Sequence, residues 1–300
     1  MFKVRIFYGI KRMRSILFLF SYSFFLLPYS LYACDVRGQE QNAPVLCGVA
    51  KQGGLLYGEL SQDAENWNVY SGDEKISMNG IFVIGLGRDH PDTLRLRFCK
   101  TEKRMLRRDR DSCSVYTYRI AQRKYEEQRI TVSRMFEELS PENQRRVDSE
   151  AALVRARRKE TADFDATEFM GMELSDILRA HRISGVFGTR RIVNGNPRSP
   201  HNGVDIAAPR GTKVAAVADG IVIVAEDMFL SGKTVIVSHG HGVTTSYLHL
   251  DSISVGAGDT VRRGGAVGRV GSTGRSTGPH LHLGAHWRNV AIDPKLVVLF

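Results

Sequence analysis

Five side chains in the last third of the chain have the types and spacing of a metal-dependent hydrolytic centre. His201-Asn202-Gly203-Val204-Asp205 sets an imidazole and a carboxylate four residues apart. On a helix that spacing puts both on one face. Pro200 before the segment and Gly203 inside it favour a loop or bent strand instead. Either geometry can bring both groups to one cation. His280-Leu281-His282 lies in an apolar run. On a strand, residues i and i+2 point the same way, so both imidazoles face one pocket. His249, between Leu248 and Leu250, leaves its own strand on a single face. Tyr247, two residues earlier, is expected to share that face, as a phenol donor at the site or as an aromatic packing residue. Gly203, Gly274, Gly278 and Gly284 flank these positions, where close backbone approach is plausible.

Two histidines and one carboxylate are a common catalytic zinc set, and three protein ligands leave a coordination position for water. The cation lowers the pKa of that water to about 7. A nucleophile then exists at neutral pH without a serine or cysteine. The other histidines can move protons or hold a developing oxyanion. His181, His239, His241 and His286 are read as surface or satisfied core residues.

HNGVD at 201–205, SYLHL at 246–250 and GPHLHL at 278–283 resemble the three motifs of the lysostaphin/LytM-type zinc metallopeptidases. The intervening GVFG at 185–188, DIAAPRG at 205–211, ADGIV at 218–222, GDTV at 258–261 and residues 270–278 are similar to that family as well. The similarity runs continuously over about residues 183–295. It implies an antiparallel β-sheet with an open groove and one Zn2+ ion held by His201, Asp205 and His282. It also implies His249 and His280 as the catalytic pair, with the division of labour between them left open, and peptidoglycan stem peptides as substrate. Arg191 and Asn194 are placed at the groove border as substrate contacts. Some relatives lose ligands and act only as activators of other wall hydrolases. Here all five positions are filled, which favours an enzyme over a catalytically silent wall-binding regulator that recruits another hydrolase of the envelope. GIFVIGLGRD at 80–89 more weakly resembles a β-domain that precedes the catalytic domain in some exported members.

The elements that must position these residues follow from the rest of the chain. Its 300 residues are 42% hydrophobic and 25% charged, which is globular and excludes a disordered polymer or a multi-span membrane protein. The formal charge is +10. Residues 1–33 hold five Lys/Arg and no acid, so 37 bases and 32 acids remain, a net +5. That mild excess suits an anionic matrix and gives no reason to invoke nucleic acid. Residues 1–33 read as a signal peptide: a basic start, the apolar run 15–27, and Ala33 at a cleavage site. The run is shorter than the roughly 20 residues that span a bilayer. The protein is expected to be exported to the periplasm or cell envelope. It is either soluble or lipid-anchored at Cys34, where Leu31-Tyr32-Ala33-Cys34 loosely matches a lipoprotein box with a bulky Tyr32. Lipidation would leave three thiols, whereas four allow two disulfides. Cys34–Cys47 and Cys99–Cys113 are the expected pairs, each closing a short loop. The pairing points to a Gram-negative envelope, where the cross-link is a direct stem-peptide bridge.

Residues 34–121 read as an N-terminal β domain, a small sandwich built on strands near 55–60, 67–70, 80–86, 93–98 and 114–120. Residues 122–182 read as a helical connector. Ile130, Met135, Phe136 and Leu139 have helical spacing, Ser140-Pro141 offers a cap, and Val147, Ala151 and Val154 form one apolar stripe. Residues 183–300 read as an all-β zinc peptidase domain. The N-terminal half is expected to cover or position the groove.

Overall fold

A computed structural model describes residues 34–60, 64–102, 110–131, 139–162 and 164–300. The expected signal peptide 1–33 lies outside the described residues, as do Met135 and Phe136 of the connector.

The first half of the chain forms two four-stranded antiparallel sheets. One orders Cys47–Gly48, Leu55–Glu59, Ile81–Gly85 and Ser77–Met78; the other orders Glu74–Lys75, Trp67–Ser71, Thr93–Glu102 and Arg110–Arg119. Along Thr93–Glu102, Leu94, Leu96 and Phe98 are buried while Thr93 and Arg95 are exposed. Period-two alternation of this kind gives a sheet one apolar face. That face meets Leu56 and Phe82 of the other sheet in a shared core, as a sandwich requires. Asn79 and Gly80 both have positive φ, 46° and 84°, at the turn between Ser77–Met78 and Ile81–Gly85. Asn-Gly is the pair that tolerates this primed turn. Cys34 is bonded to Cys47 and Cys99 to Cys113; the second bridge joins residues directly opposite in the ladder. The Cys34 sulfur is engaged in its bridge, so a thioether-linked lipid on the same atom is an alternative state and not an addition to this one.

The connector is only partly helical. Glu127–Ile130 is a strand, parallel to Arg190–Val193 in a small three-stranded sheet. Ile130 therefore ends a strand and does not begin a helix. Residue spacing alone could not reveal the strand edge that recruits it. The helix Pro141–Glu160 starts where Ser140 predicts, with the Ser140 hydroxyl accepting from Asn143 N at 3.2 Å. Val147, Ala151 and Val154 are half-buried on its inner side, and Val154 packs on Ile223, Val224, Met228 and Ile236. One turn further along the same stripe, Arg158 is buried and bonds His286 Nδ1 at 3.1 Å. Among the described residues no helix is long and apolar enough to cross a membrane.

The last third is a ten-stranded sheet. Its main path orders Arg182–Gly185, Gly203–Ala207, His280–Trp287, Val243–Ile253, Gly232–Ser238, Gly220–Met228 and Thr260–Val261, every pair antiparallel. Val204, Ile206, Val235, Val237, Leu281 and Leu283 fill its inner face with 1% exposure or less. The N-terminal sheets dock at one end. Gly85 sits against Trp287 and Ile292, with room for no side chain: an added Cβ would lie 2.6 Å from Trp287 Cβ. Arg123 pairs with buried Asp293 at 2.7 Å beside this contact.

Candidate metal centre

Asp205 and His282 lie directly opposite each other on the paired strands Gly203–Ala207 and His280–Trp287. Leu281, Leu283 and Ala285 point into the core, so strand alternation sends His280 and His282 to the other side. Asp205 shares that side because opposed residues of an antiparallel pair share a face. His201 enters from the loop before the strand, held by its backbone: His201 N donates to Thr189 O and Gly188 N to His201 O, at 3.0 and 2.8 Å. Two glycines make room. A Cβ on Gly203 would stand 2.6 Å from His282 Nε2, and one on Gly185 would stand 2.6 Å from Asp205 Oδ2.

The three side chains converge. Asp205 Oδ1 is 2.9 Å from His201 Nε2 and 2.8 Å from His282 Nδ1, and the two nitrogens are 3.0 Å apart. His201 Nδ1 donates to Val186 O at 3.0 Å, which leaves a lone pair on Nε2 in the neutral ring. Three electron-rich atoms packed this closely repel one another unless a proton or a cation lies among them. Two imidazole nitrogens and one carboxylate oxygen are a catalytic zinc donor set, so these residues fit a divalent ion. Arg191 donates to the other carboxylate oxygen, Oδ2, at 2.7 Å. Burial alone would raise the Asp205 pKa, but the His201 and His282 hydrogen bonds outweigh it and hold the carboxyl well below its usual range. Burial lowers the His282 pKa, which keeps the ring neutral and able to ligate.

His249 and His280 stand beside this centre. His249 Nδ1 donates to Thr273 O at 2.9 Å and His280 Nδ1 to Gly278 O at 2.8 Å. Each ring is thereby left with Nε2 as an acceptor. Their ring centroids are 4.9 Å apart, and His280 Nε2 is 3.8 Å from Asp205 Oδ1. Burial first, then the neighbouring His282 and His280, pushes His249 down to about 3.

Tyr247 is not at the site. It is fully buried, its hydroxyl accepting from Val217 N at 2.9 Å and lying 3.1 Å from Thr245 Oγ1. Thr245 Oγ1 in turn is 2.7 Å from His239 Nε2, and His239 Nδ1 donates to Asp219 O at 2.7 Å. The reason is a bulge. Val235 pairs with Tyr247 but Lys233 pairs with Leu250, so the strand carrying His249 holds one extra residue. His249 has φ 61°, and such an insertion reverses the side on which the next residue points. Asn194 is also not a groove residue. It occupies the turn between Arg190–Val193 and Asn196–Pro197, with φ 49°. Arg191 does line the groove, but its guanidinium is turned to Asp205.

The groove holds about 680 Å³ and is lined by the five site residues together with Leu248, Gln128, Arg198 and Arg275. Gln128 comes from the strand Glu127–Ile130, and its Oε1 is buried without a hydrogen-bond partner among the described residues. Sequence reasoning did not single out Gln128, Arg198 or Arg275. A lone polar residue in a loop or edge strand carries no periodic signal.

Residues 199–294 match Peptidase family M23. Over 102 residues the chain is 45% identical to peptidoglycan DD-endopeptidase ShyA of Vibrio cholerae, covering 34% of this chain and 24% of the relative. It is 43% identical over 118 residues to DD-carboxypeptidase/endopeptidase Mpg of Neisseria meningitidis, covering 39% and 27%. The chain thus spans about a quarter of the length of these curated relatives. A solved peptidase M23 structure from Pseudomonas aeruginosa, 25% identical, superposes with a TM-score of 0.58 over 83% of this chain and 95% of that one.

Proposed function

We propose that this chain, whose residues 199–294 are an M23 peptidase domain, is a zinc-dependent endopeptidase that hydrolyses peptide cross-links of bacterial peptidoglycan. The observation that carries this reading is the mutual approach of His201 Nε2, Asp205 Oδ1 and His282 Nδ1 at the floor of an open groove. The similarity to relatives named as peptidoglycan endopeptidases supports the substrate class. The two disulfides support an oxidising envelope compartment.

His201, Asp205 and His282 would hold the ion. When bound, zinc supplies Lewis-acid polarisation of the scissile carbonyl and a water acidic enough to attack near neutral pH. Arg191 fixes the Asp205 carboxylate through Oδ2, so that Oδ1 stays aimed at the centre. His249 and His280, each anchored through Nδ1 to a backbone carbonyl, present Nε2 to the groove. Such a nitrogen takes the proton from the attacking water and returns it to the departing amine. The same pair, once one ring is protonated, stabilises negative charge building on the carbonyl oxygen.

The test is digestion of intact peptidoglycan with the purified protein and zinc, followed by mass analysis of the released fragments. The proposal expects new amine termini at cross-links and their loss on chelation. Metal-loaded protein that releases no fragments would favour the silent wall-binding regulator. Cleavage of a glycine-rich protein with none of peptidoglycan would move the substrate to proteins.

A further inference from the structure

We propose that Glu150, on the helix Pro141–Glu160 and outside the matched peptidase residues 199–294, is a positioning residue for His249. This rests on the peptidase reading above and adds the connector helix to the scaffold of the active site.

Both carboxylate oxygens of Glu150 accept from Phe229 N–H, at 3.1 and 3.0 Å. Arg146, one turn earlier on the same helix, donates from Nε to Glu150 Oε1 at 2.8 Å and from Nη2 to Asp227 O at 2.9 Å. The helix thus grips the turn 229–231, which joins Gly220–Met228 to Gly232–Ser238. A hydrogen bond from an amide to a carboxylate is about twice as strong as one to a neutral acceptor.

That turn is a wall of the groove, with Leu230 and Ser231 in its lining. Ser231 O accepts from His249 N–H at 2.9 Å, and Leu230 O accepts from Arg275 N–H at 2.8 Å. The loop around Thr273 and Gly274 lies against the turn backbone to backbone. An added Cβ on Gly274 would stand 2.3 Å from Gly232 N and 2.6 Å from Leu230 O. Thr273 Oγ1 accepts from Lys233 N at 2.9 Å, while Thr273 O accepts from His249 Nδ1 at 2.9 Å. The two packed segments therefore hold His249 twice, one by its backbone and the other by its ring. With no space between them, a displaced turn carries the Thr273 loop with it. His249 also has a left-handed φ of 61°, which a non-glycine residue keeps only where its surroundings enforce it. Releasing the turn from Glu150 loosens both the bulge and the aim of the imidazole.

The experiment uses the full zinc-loaded chain and a soluble cross-linked stem-peptide dimer. Glu150→Ala removes the grip while giving the helix its best former. Its kcat is expected to fall by about 10-fold to 100-fold, the cost of a displacement of about 1 Å at the chemistry. KM should stay within about twofold, with zinc still bound. Glu150→Gln keeps an oxygen that can accept from Phe229 N–H and should recover most of the lost kcat. Ser140→Ala weakens the same helix at its cap, away from the turn, and should leave kcat unchanged. Near-wild-type kcat in Glu150→Ala, an equal loss in Ser140→Ala, or no recovery in Glu150→Gln overturns the proposal and leaves the peptidase reading intact. If wild type does not cleave the dimer, the peptidase reading fails, and amide hydrogen exchange decides the positioning role. Exchange of His249 N–H should quicken by about 10-fold or more in Glu150→Ala and not in Ser140→Ala. Unchanged exchange in Glu150→Ala, or the same change in both variants, overturns it.

Discussion

His249 and Tyr247 are two residues apart on one strand yet lie on opposite sides of the sheet. His249 opens to the groove beside His280, while the Tyr247 hydroxyl is buried against Val217 N. The bulge between them is what separates a residue that can touch substrate from one that holds the core together.

His249→Ala tests the first half of that statement. On the proposed assignment three other side chains hold the ion, so metal content should stay near one per chain. Turnover should fall by about 10²-fold to 10⁴-fold, the usual contribution of a positioned proton carrier. Near-normal turnover in this variant would remove His249 from the chemistry.

Tyr247→Phe tests the second half. The phenylalanine keeps the ring in its pocket, leaves Val217 N–H without its acceptor and removes one of the two hydrogen bonds of Thr245 Oγ1. Stability should drop by about 1–3 kcal/mol in urea unfolding, with kcat and metal content within about twofold of wild type. A large loss of kcat at unchanged stability would put the phenol back at the site.

Gly203→Ala places a methyl where the His282 ring now lies, with 2.6 Å to Nε2 and 2.4 Å to the Leu283 carbonyl oxygen. The ring must shift, and a ligand displaced by a fraction of an ångström loses coordination geometry. Metal affinity should weaken by about 10-fold to 100-fold, comparable to loss of an orienting partner. Retention of full affinity in a competition titration with a chelator would mean that the His282 position is less constrained than its contacts imply.

Buried His239 gives the fold a dependence on pH. Burial pushes its pKa down to about 4, against an ordinary value of 6.5. The unfolded chain therefore binds a proton there that the folded chain refuses. The resulting stability is complete above about pH 6.5 and falls as pH drops toward 4, by up to about 3 kcal/mol. Urea unfolding at stepped pH should show this slope, and His239→Gln, which cannot titrate, should flatten it. The same slope in both proteins would assign the effect to other groups.

Much of the architecture was readable because it follows from periodicity. The run His280-Leu281-His282-Leu283 alternates polar and apolar residues, and the structure sends the leucines inward and the histidines to the groove. Ser140-Pro141 marked a helix start that the Ser140 hydroxyl caps. The errors share a cause. Regular alternation puts Tyr247 on the histidine face, and one inserted residue cancels that alternation. Ile130 looked helical from spacing alone, but the free edge of Arg190–Val193 captured it as a strand. The carbonyl oxygens of Val186, Thr273 and Gly278, which orient the site histidines, are backbone atoms and leave no mark in residue identity. Arg158 reads as one more base at a helix end, yet its stripe position buries it against His286.

Metal content of the purified protein, counted per chain after exhaustive dialysis against zinc-buffered solution, bears most directly on the proposed centre. One ion should be bound by wild type and by His249→Ala, and none by His201→Ala or Asp205→Ala, with peptidoglycan cleavage lost in both metal-free variants. A full ion per chain in His201→Ala and Asp205→Ala would contradict the assignment, because the metal would then be held elsewhere.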